Sequence, residues 1–130
     1  MLRRLCRSKI HRATVTASQP DYEGSIEIDE TLMKAADLLE FEMVLVANVA
    51  NGARFETYVI YGAKNSGVIA LRGAAARLGV PGDKIIIMSM GLMSEAEARK
   101  LRPRFIQVNH QNKVVDVRSA VKRGPIDTSI

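Results

Sequence analysis

The residues with the clearest chemical potential are Gly24 and Ser25, which follow a loop containing Pro20. A serine hydroxyl can attack the carbonyl carbon of the residue before it. A glycine there leaves that carbonyl unhindered and can adopt backbone conformations closed to other residues. The resulting ester can eliminate and hydrolyse to a pyruvoyl group, which forms an imine with an amine and accepts electrons, as pyridoxal does elsewhere. Taken alone, a Gly-Ser pair more often forms an ordinary turn.

A second reactive group lies on a predicted strand at residues 54–61, after the turn sequence Asn51-Gly52. Arg54 and Tyr58 have the same strand parity, so both side chains can face one side of a sheet. A guanidinium can bind a carboxylate through two hydrogen bonds. A phenol, with an ordinary pKa of about 10, stays protonated at neutral pH and can donate to a strong base. Without further information, a solvated arginine and a barrel-wall tyrosine are the preferred interpretations of these two residues.

The hydrophobic pattern is mostly that of strands. Apolar alternation and flanking turn residues predict strands at residues 9–16, 26–28, 43–49, 54–61, 68–71, 85–88, 104–108 and 113–117. Asp29 can cap a helix over residues 31–39 that has Leu39 on its apolar face, and Ser94 and Glu97 have capping-box spacing. The many short strands and few short helices predict an all-β barrel or sandwich.

Composition limits the setting. The 130 residues are 47% hydrophobic and 25% charged, which suits one globular domain. The single cysteine, Cys6, cannot form an intramolecular disulfide, which predicts a reducing compartment. No apolar run is long enough to span a membrane, and the basic N-terminus lacks the apolar region of a secretory signal. We therefore expect a soluble cytoplasmic protein with no membrane partner.

Four ordered blocks make a more specific match: SKIHRATVT, YEGSIEID, NGARFETYVI and GAAARLGVPGD. Together they resemble the pyruvoyl-dependent aspartate 1-decarboxylase family over residues 1–117. The resemblance implies a six-stranded double-psi β-barrel that cleaves itself into residues 1–24 and 25–130. It also implies conversion of L-aspartate to β-alanine and CO2, a step that supplies pantothenate and coenzyme A synthesis. The cofactor would be a covalent pyruvoyl group made from Ser25, with no metal and no pyridoxal phosphate.

The resemblance also implies a role for each matching residue. Ser25 would become the pyruvoyl group and Tyr58 would be the proton donor. The remaining positions would bind substrate or support the site: Gly24 at the cleaved bond; Lys9 and Arg54 on a substrate carboxylate; Thr57 on the oxyanion of self-cleavage; Gly73, Ala74 and Ala75 through backbone contacts; His11, Tyr22 and Arg72 in support. The family is expected to form a homotetramer with sites between subunits, so that Ser25 and Tyr58 come from adjoining chains.

Three positions depart from the family pattern. Arg72 stands where asparagine is common, Met90 where an aromatic residue is usual, and Phe41 where glycine is typical. Arg72 could disturb the hydrogen bonds around Ser25 or add a second carboxylate ligand. These changes leave a divergent enzyme for a related amino acid, or an unprocessed and inactive relative, as alternatives.

A further alternative comes from the C-terminus, where residues 99–130 carry eight Lys or Arg and two Asp or Glu. Residues 118–130 are expected to form a basic, flexible tail after the barrel domain. Such a tail can bind nucleic acid through phosphates, which would suit a non-catalytic barrel. Because no aromatic stacking pattern accompanies the charge, a solvated terminus is the preferred interpretation.

Overall fold

A computed structural model describes residues 1–120 of the chain, and within them the secondary structure is mainly β. The strands are β1 Leu2–Thr14, β2 Ala17–Gln19, β3 Ser25–Asp29, β4 Met43–Asn48, β5 Arg54–Gly62, β6 Ile69–Arg72, β7 Lys84–Ser94, β8 Arg104–Val108 and β9 Val114–Arg118. The helices are α1 Glu30–Ala35, a 3-10 helix Gly73–Leu78 and α2 Glu95–Lys100. The predicted mainly β fold is confirmed.

The strands form one sheet in the order β2-β6-β3-β5-β4-β7-β1-β8-β9. Strand β3 pairs in parallel with β5 and antiparallel with β6, so the residues of β3 lie between those two neighbours. The described residues contain nine strands, which include the three-residue β2 and the β8–β9 hairpin.

The core is made from the inward faces of these strands together with α1. Its fully buried side chains include Ile26 and Ile28 on β3, Val59 on β5 and Ile87 on β7. Such aliphatic side chains each contribute about 1.5–3 kcal/mol on burial. Because β3 and β5 share this core, the residues that alternate with it along both strands are held at fixed positions.

Helix α1 is shorter than the sequence predicted. Asp29 does cap it, and its side chain accepts a hydrogen bond from the Thr31 amide at 2.8 Å. However, the helix ends at Ala35, and Leu39 is 68% exposed rather than on a buried helix face. The cause is local, since Asp37 has a φ of 55° and the chain therefore leaves the right-handed helical conformation.

The first strand is longer than the sequence predicted, because of its pairing with a distant strand. Strand β1 begins at Leu2 instead of residue 9, because Leu2 pairs with Ser94 at the far end of β7. The Ser94–Glu97 capping box is present as predicted.

None of the helices within residues 1–120 is long and apolar enough to cross a membrane. Most of the predicted basic tail, residues 121–130, lies outside the described residues, so the domain boundary near residue 117 stays a prediction.

Candidate active site

Ser25 is the first residue of β3, is 3% exposed, and lies directly opposite Arg72 on β6. On its other side, the next residue of β3, Ile26, pairs with Val59, which places Tyr58 beside Ser25. A cavity of about 350 Å3 opens here and is lined by Tyr22, Glu23, Ser25, Phe41, Tyr58, Ile60 and Arg72. We call it the Ser25 pocket. Ser25 and Tyr58 therefore line one pocket within a single chain, although the expectation placed them on adjoining chains.

A smaller cavity of about 190 Å3 lies on the Gly24 side and is lined by Gly24, Phe55, Glu56, Thr57, Ala74, Ala75 and Leu78. Thr57 is only 9% exposed and follows the alternation of β5, so its side chain faces away from that of Tyr58. The Gly24–Ser25 peptide bond therefore joins a residue that lines this cavity to a residue that lines the Ser25 pocket.

Gly73 brings the backbone of residues 72–75 against the Gly24 segment. Its φ is +66°, a left-handed conformation that L side chains rarely adopt. A Cβ atom at this position would lie 2.5 Å from the Gly24 Cα, 2.7 Å from the Gly24 nitrogen and 3.0 Å from the Tyr22 carbonyl oxygen. The absence of a side chain at Gly73 therefore allows the two backbone segments to lie close together, while the backbone contacts of residues 73–75 with a substrate stay a prediction.

Gly24 itself does not have the unusual backbone expected of it. The glycines with positive φ in the described chain are Gly52, Gly67, Gly73 and Gly82. A Cβ atom on Gly24 would meet only the Arg72 carbonyl oxygen, at 3.9 Å, which is an ordinary contact. The backbone conformation that requires glycine, predicted at Gly24, occurs instead at Gly73, which lies next to Gly24 in the structure.

Arg72 is held by three partners at the edge of the Ser25 pocket. Its Nε donates a hydrogen bond to Gln19 Oε1 at 3.1 Å, and its Nη2 donates to Glu27 Oε1 in a half-buried ion pair. Its guanidinium carbon lies 5.2 Å from the centre of the Tyr22 ring, in cation–π contact. The side chain is therefore fixed in place.

The backbone conformation at Phe41 is one that glycine adopts more easily than other residues. Its φ is 70°, and its amide donates a hydrogen bond to the Val59 carbonyl oxygen at 2.7 Å. A residue with a Cβ atom pays about 1–2 kcal/mol for this left-handed conformation. The ring is 68% exposed and packs at 6.1 Å from the ring of Tyr58, so it narrows the Ser25 pocket.

Lys9, His11 and Arg54 do not line either of these two cavities. Lys9 packs over the Phe105 ring at 5.0 Å, and Arg54 is an exposed residue at the start of β5. His11 lines a separate cavity of about 280 Å3, where its Nδ1 is buried without a partner among residues 1–120. Burial, followed by the charge of Lys9, lowers the pKa of His11. Within a single chain, none of these three residues lines the Ser25 pocket.

Met90 also lies apart from the site. It sits on β7 opposite Cys6 of β1, and neither residue lines either cavity around the Gly24–Ser25 bond. Cys6 is a free, half-buried thiol whose Sγ lies 3.4 Å from the Ser8 carbonyl oxygen. Met90, which stands where the family usually has an aromatic residue, therefore does not line the site within one chain.

Sequence reasoning missed Glu23, Glu27 and Ile60. Two of these had a detectable signal, since Glu27 has the parity of Ser25 and Ile60 has the parity of Tyr58 on neighbouring strands. Within residues 1–120 there is no group of three or more His, Cys, Asp or Glu that could hold a metal ion.

Fold and site together define a mainly β protein in which a Gly-Ser bond lies between two cavities, beside a phenol and an arginine. The family model described as "Aspartate decarboxylase" matches residues 1–115. The Aspartate 1-decarboxylase of Pelotomaculum thermopropionicum is 57% identical over 93% of this chain and 92% of that protein. Those of Acetivibrio thermocellus and Bacillus cereus are 53% and 48% identical, over 94% and 97% of this chain and 97% and 99% of their own lengths. The chain belongs to the aspartate decarboxylase family.

Proposed function

We propose that this protein cleaves itself between Gly24 and Ser25 and then decarboxylates L-aspartate to β-alanine, for pantothenate synthesis. The observation that carries the proposal is the position of the Gly24–Ser25 bond, with Thr57 lining the cavity on one side and Tyr58 the pocket on the other. The relatives carry the name Aspartate 1-decarboxylase. Family membership favours this enzyme over the nucleic-acid-binding alternative.

Self-cleavage begins when Ser25 Oγ attacks the Gly24 carbonyl carbon. The Gly24–Ser25 amide bond breaks, the nitrogen takes the hydroxyl proton, and an ester forms. Thr57 donates a hydrogen bond to the oxyanion of this step. Loss of the Ser25 Cα proton then expels Gly24 as a carboxylate, and water releases the nitrogen as ammonia. The products are residues 1–24 and a chain of residues 25–130 that begins with the pyruvoyl group.

The surroundings of Ser25 fit such a group. The residue is 3% exposed but lines a pocket open to small molecules, so a carbonyl there would be shielded and still reachable. When formed, the pyruvoyl group supplies a carbonyl that binds the substrate amine and withdraws electrons from the α-carbon.

The side chains of this protein would bind and protonate the substrate. Tyr58, beside Ser25, donates the proton that the α-carbon takes after CO2 leaves. The α-carboxylate must stay poorly neutralised, since an interaction lost with CO2 would stabilise the reactant more than the transition state. Backbone amides of Gly73, Ala74 and Ala75 contact the substrate.

Lys9 and Arg54 bind a substrate carboxylate, and His11 helps to order the site. Because these three residues do not line the Ser25 pocket of their own chain, the proposal assigns them to a neighbouring subunit. A homotetramer with sites between subunits meets this requirement. A cytoplasmic location agrees with the single cysteine.

The test is the mass of the purified protein and its product. The wild-type protein should resolve into fragments of residues 1–24 and 25–130, while Ser25→Ala should remain intact and produce no β-alanine. Ser66→Ala, which changes an exposed turn serine whose hydroxyl bonds the Ala63 carbonyl, is the matched control and should cleave normally. An intact wild-type chain after prolonged warm incubation would contradict the proposal.

A further inference from the structure

The ion pair of Arg72 and Glu27 has no part in the mechanism proposed above, although it borders the position of Ser25. Arg72 lies directly opposite Ser25 in the antiparallel β3–β6 pair, and Glu27 is two residues from Ser25 on the same face of β3. Side chains directly opposite in such a pair have Cβ atoms about 5 Å apart. The guanidinium is therefore the cation nearest in the sheet to the position that would carry the pyruvoyl group.

The guanidinium has donors left for a ligand. It carries five N–H bonds, and within residues 1–120 its hydrogen bonds go to Gln19 and Glu27 alone. The side chain retains 27% exposure while it lines the Ser25 pocket. Because Gln19, Glu27 and the Tyr22 ring already fix its position, a ligand would not have to immobilise a flexible side chain.

The pocket walls differ in polarity. Arg72 and Glu23 provide its charged part, while Phe41, Ile60 and Tyr58 provide an apolar and phenolic part. A carboxylate that leaves as neutral CO2 is favoured where its charge is poorly stabilised, and its departure must occur where Tyr58 can reach the α-carbon. The carboxylate that the product keeps is favoured beside Arg72, which is the one cation among the described residues that line the pocket.

We propose that Arg72 binds the side-chain carboxylate of the substrate together with Lys9 and Arg54 of the neighbouring subunit, and that Glu27, by pairing with Arg72, limits the strength of the Arg72 contact. The proposal rests on the function proposed above and adds two specificity-determining residues to it. Arg72 contacts the substrate, whereas Glu27 acts through Arg72 as a positioning residue. A dicarboxylic amino acid would then be preferred over one with an apolar side chain.

The binding of succinate, measured by calorimetry, tests this directly because succinate carries two carboxylates and needs no pyruvoyl group. Arg72→Asn should weaken succinate binding about tenfold or more, as expected for the loss of a charged hydrogen bond. Glu27→Gln should strengthen it about threefold, since the amide still accepts from Arg72 but no longer competes as an anion. The double variant should bind better than Arg72→Asn alone, in which the Glu27 carboxylate is left without its partner.

L-Alanine, which has only the α-carboxylate, is the control ligand. Its inhibition constant should change less than twofold in all three variants. Equal losses for L-alanine and succinate, or succinate binding by Arg72→Asn within twofold of wild type, would overturn the role of Arg72. Weaker succinate binding by Glu27→Gln would overturn the role of Glu27.

Two further measurements separate this proposal from folding and from the proposed function. Thermal unfolding of each variant checks the fold, and Arg72→Gln serves if Arg72→Asn does not fold. Chain cleavage tests the proposed function: an uncleaved wild-type protein contradicts that function, while the succinate series still decides the roles of Arg72 and Glu27.

Discussion

Replacing Gly73 by alanine tests the geometry on which the proposed self-cleavage would depend. The new Cβ atom would lie 2.5 Å from the Gly24 Cα, whereas non-bonded carbon atoms pack at about 3.5–4.0 Å. The atoms that the new Cβ would clash with belong to the backbone, so they cannot rotate away as the end of a flexible side chain can. Relief of the clash therefore requires a shift of about 1 Å between the Gly73 segment and the bond to be cleaved.

A shift of this size sets the expected effect. Displacement of reacting groups by about 1 Å can cost a factor of about 100 in rate, so we expect Gly73→Ala to cleave about a hundredfold more slowly. The left-handed φ of +66° adds a stability loss of about 1–2 kcal/mol. A time course of intact mass, started from freshly purified precursor, measures the cleavage rate, and urea unfolding measures the stability.

Gly52→Ala is the matched control. Gly52 also has a left-handed φ, +74°, but an added Cβ atom would meet nothing within 4 Å. This variant should lose about the same backbone stability and cleave at the wild-type rate. If Gly73→Ala cleaves within threefold of Gly52→Ala, the close approach to Gly24 has no part in self-cleavage.

Two further outcomes are expected. Tyr58→Phe should cleave normally but form β-alanine at least a hundredfold more slowly, because it loses the proton donor, and a parental rate of product formation would rule out that role. Burial acts to raise the pKa of Asp29, but amide hydrogen bonds from Gly67, Thr31 and Asn65 outweigh it and hold this pKa below its usual value. A lowered carboxyl pKa gives stability that is present above the unfolded-state pKa of about 3.9 and is lost as pH falls through the folded-state pKa. Wild type should therefore exceed Asp29→Asn by about 2 kcal/mol in urea unfolding at pH 7, and the difference should shrink below pH 4; a constant difference would contradict the argument.

The amino-acid sequence by itself determined the mainly β fold and the family, and it pointed to Gly24-Ser25 as the candidate reactive pair. These follow from local pattern: alternation of apolar residues predicted the strands, and four ordered blocks carried the resemblance. The prediction that Arg54 and Tyr58 lie on one strand with the same parity was also correct. Parity fixes which face a side chain occupies, but not which neighbouring strand lies beside it.

Only the tertiary structure decided which residues meet at the site. The parallel pairing of β3 with β5 placed Tyr58 beside Ser25, and the antiparallel pairing of β3 with β6 placed Arg72 opposite it. The conformational constraint expected at Gly24 lies at Gly73 in the structure, and Lys9, which is on β1, does not line the Ser25 pocket. Strand pairing joins residues that are distant in sequence, and its register depends on the whole core, so no short segment of the chain contains that information.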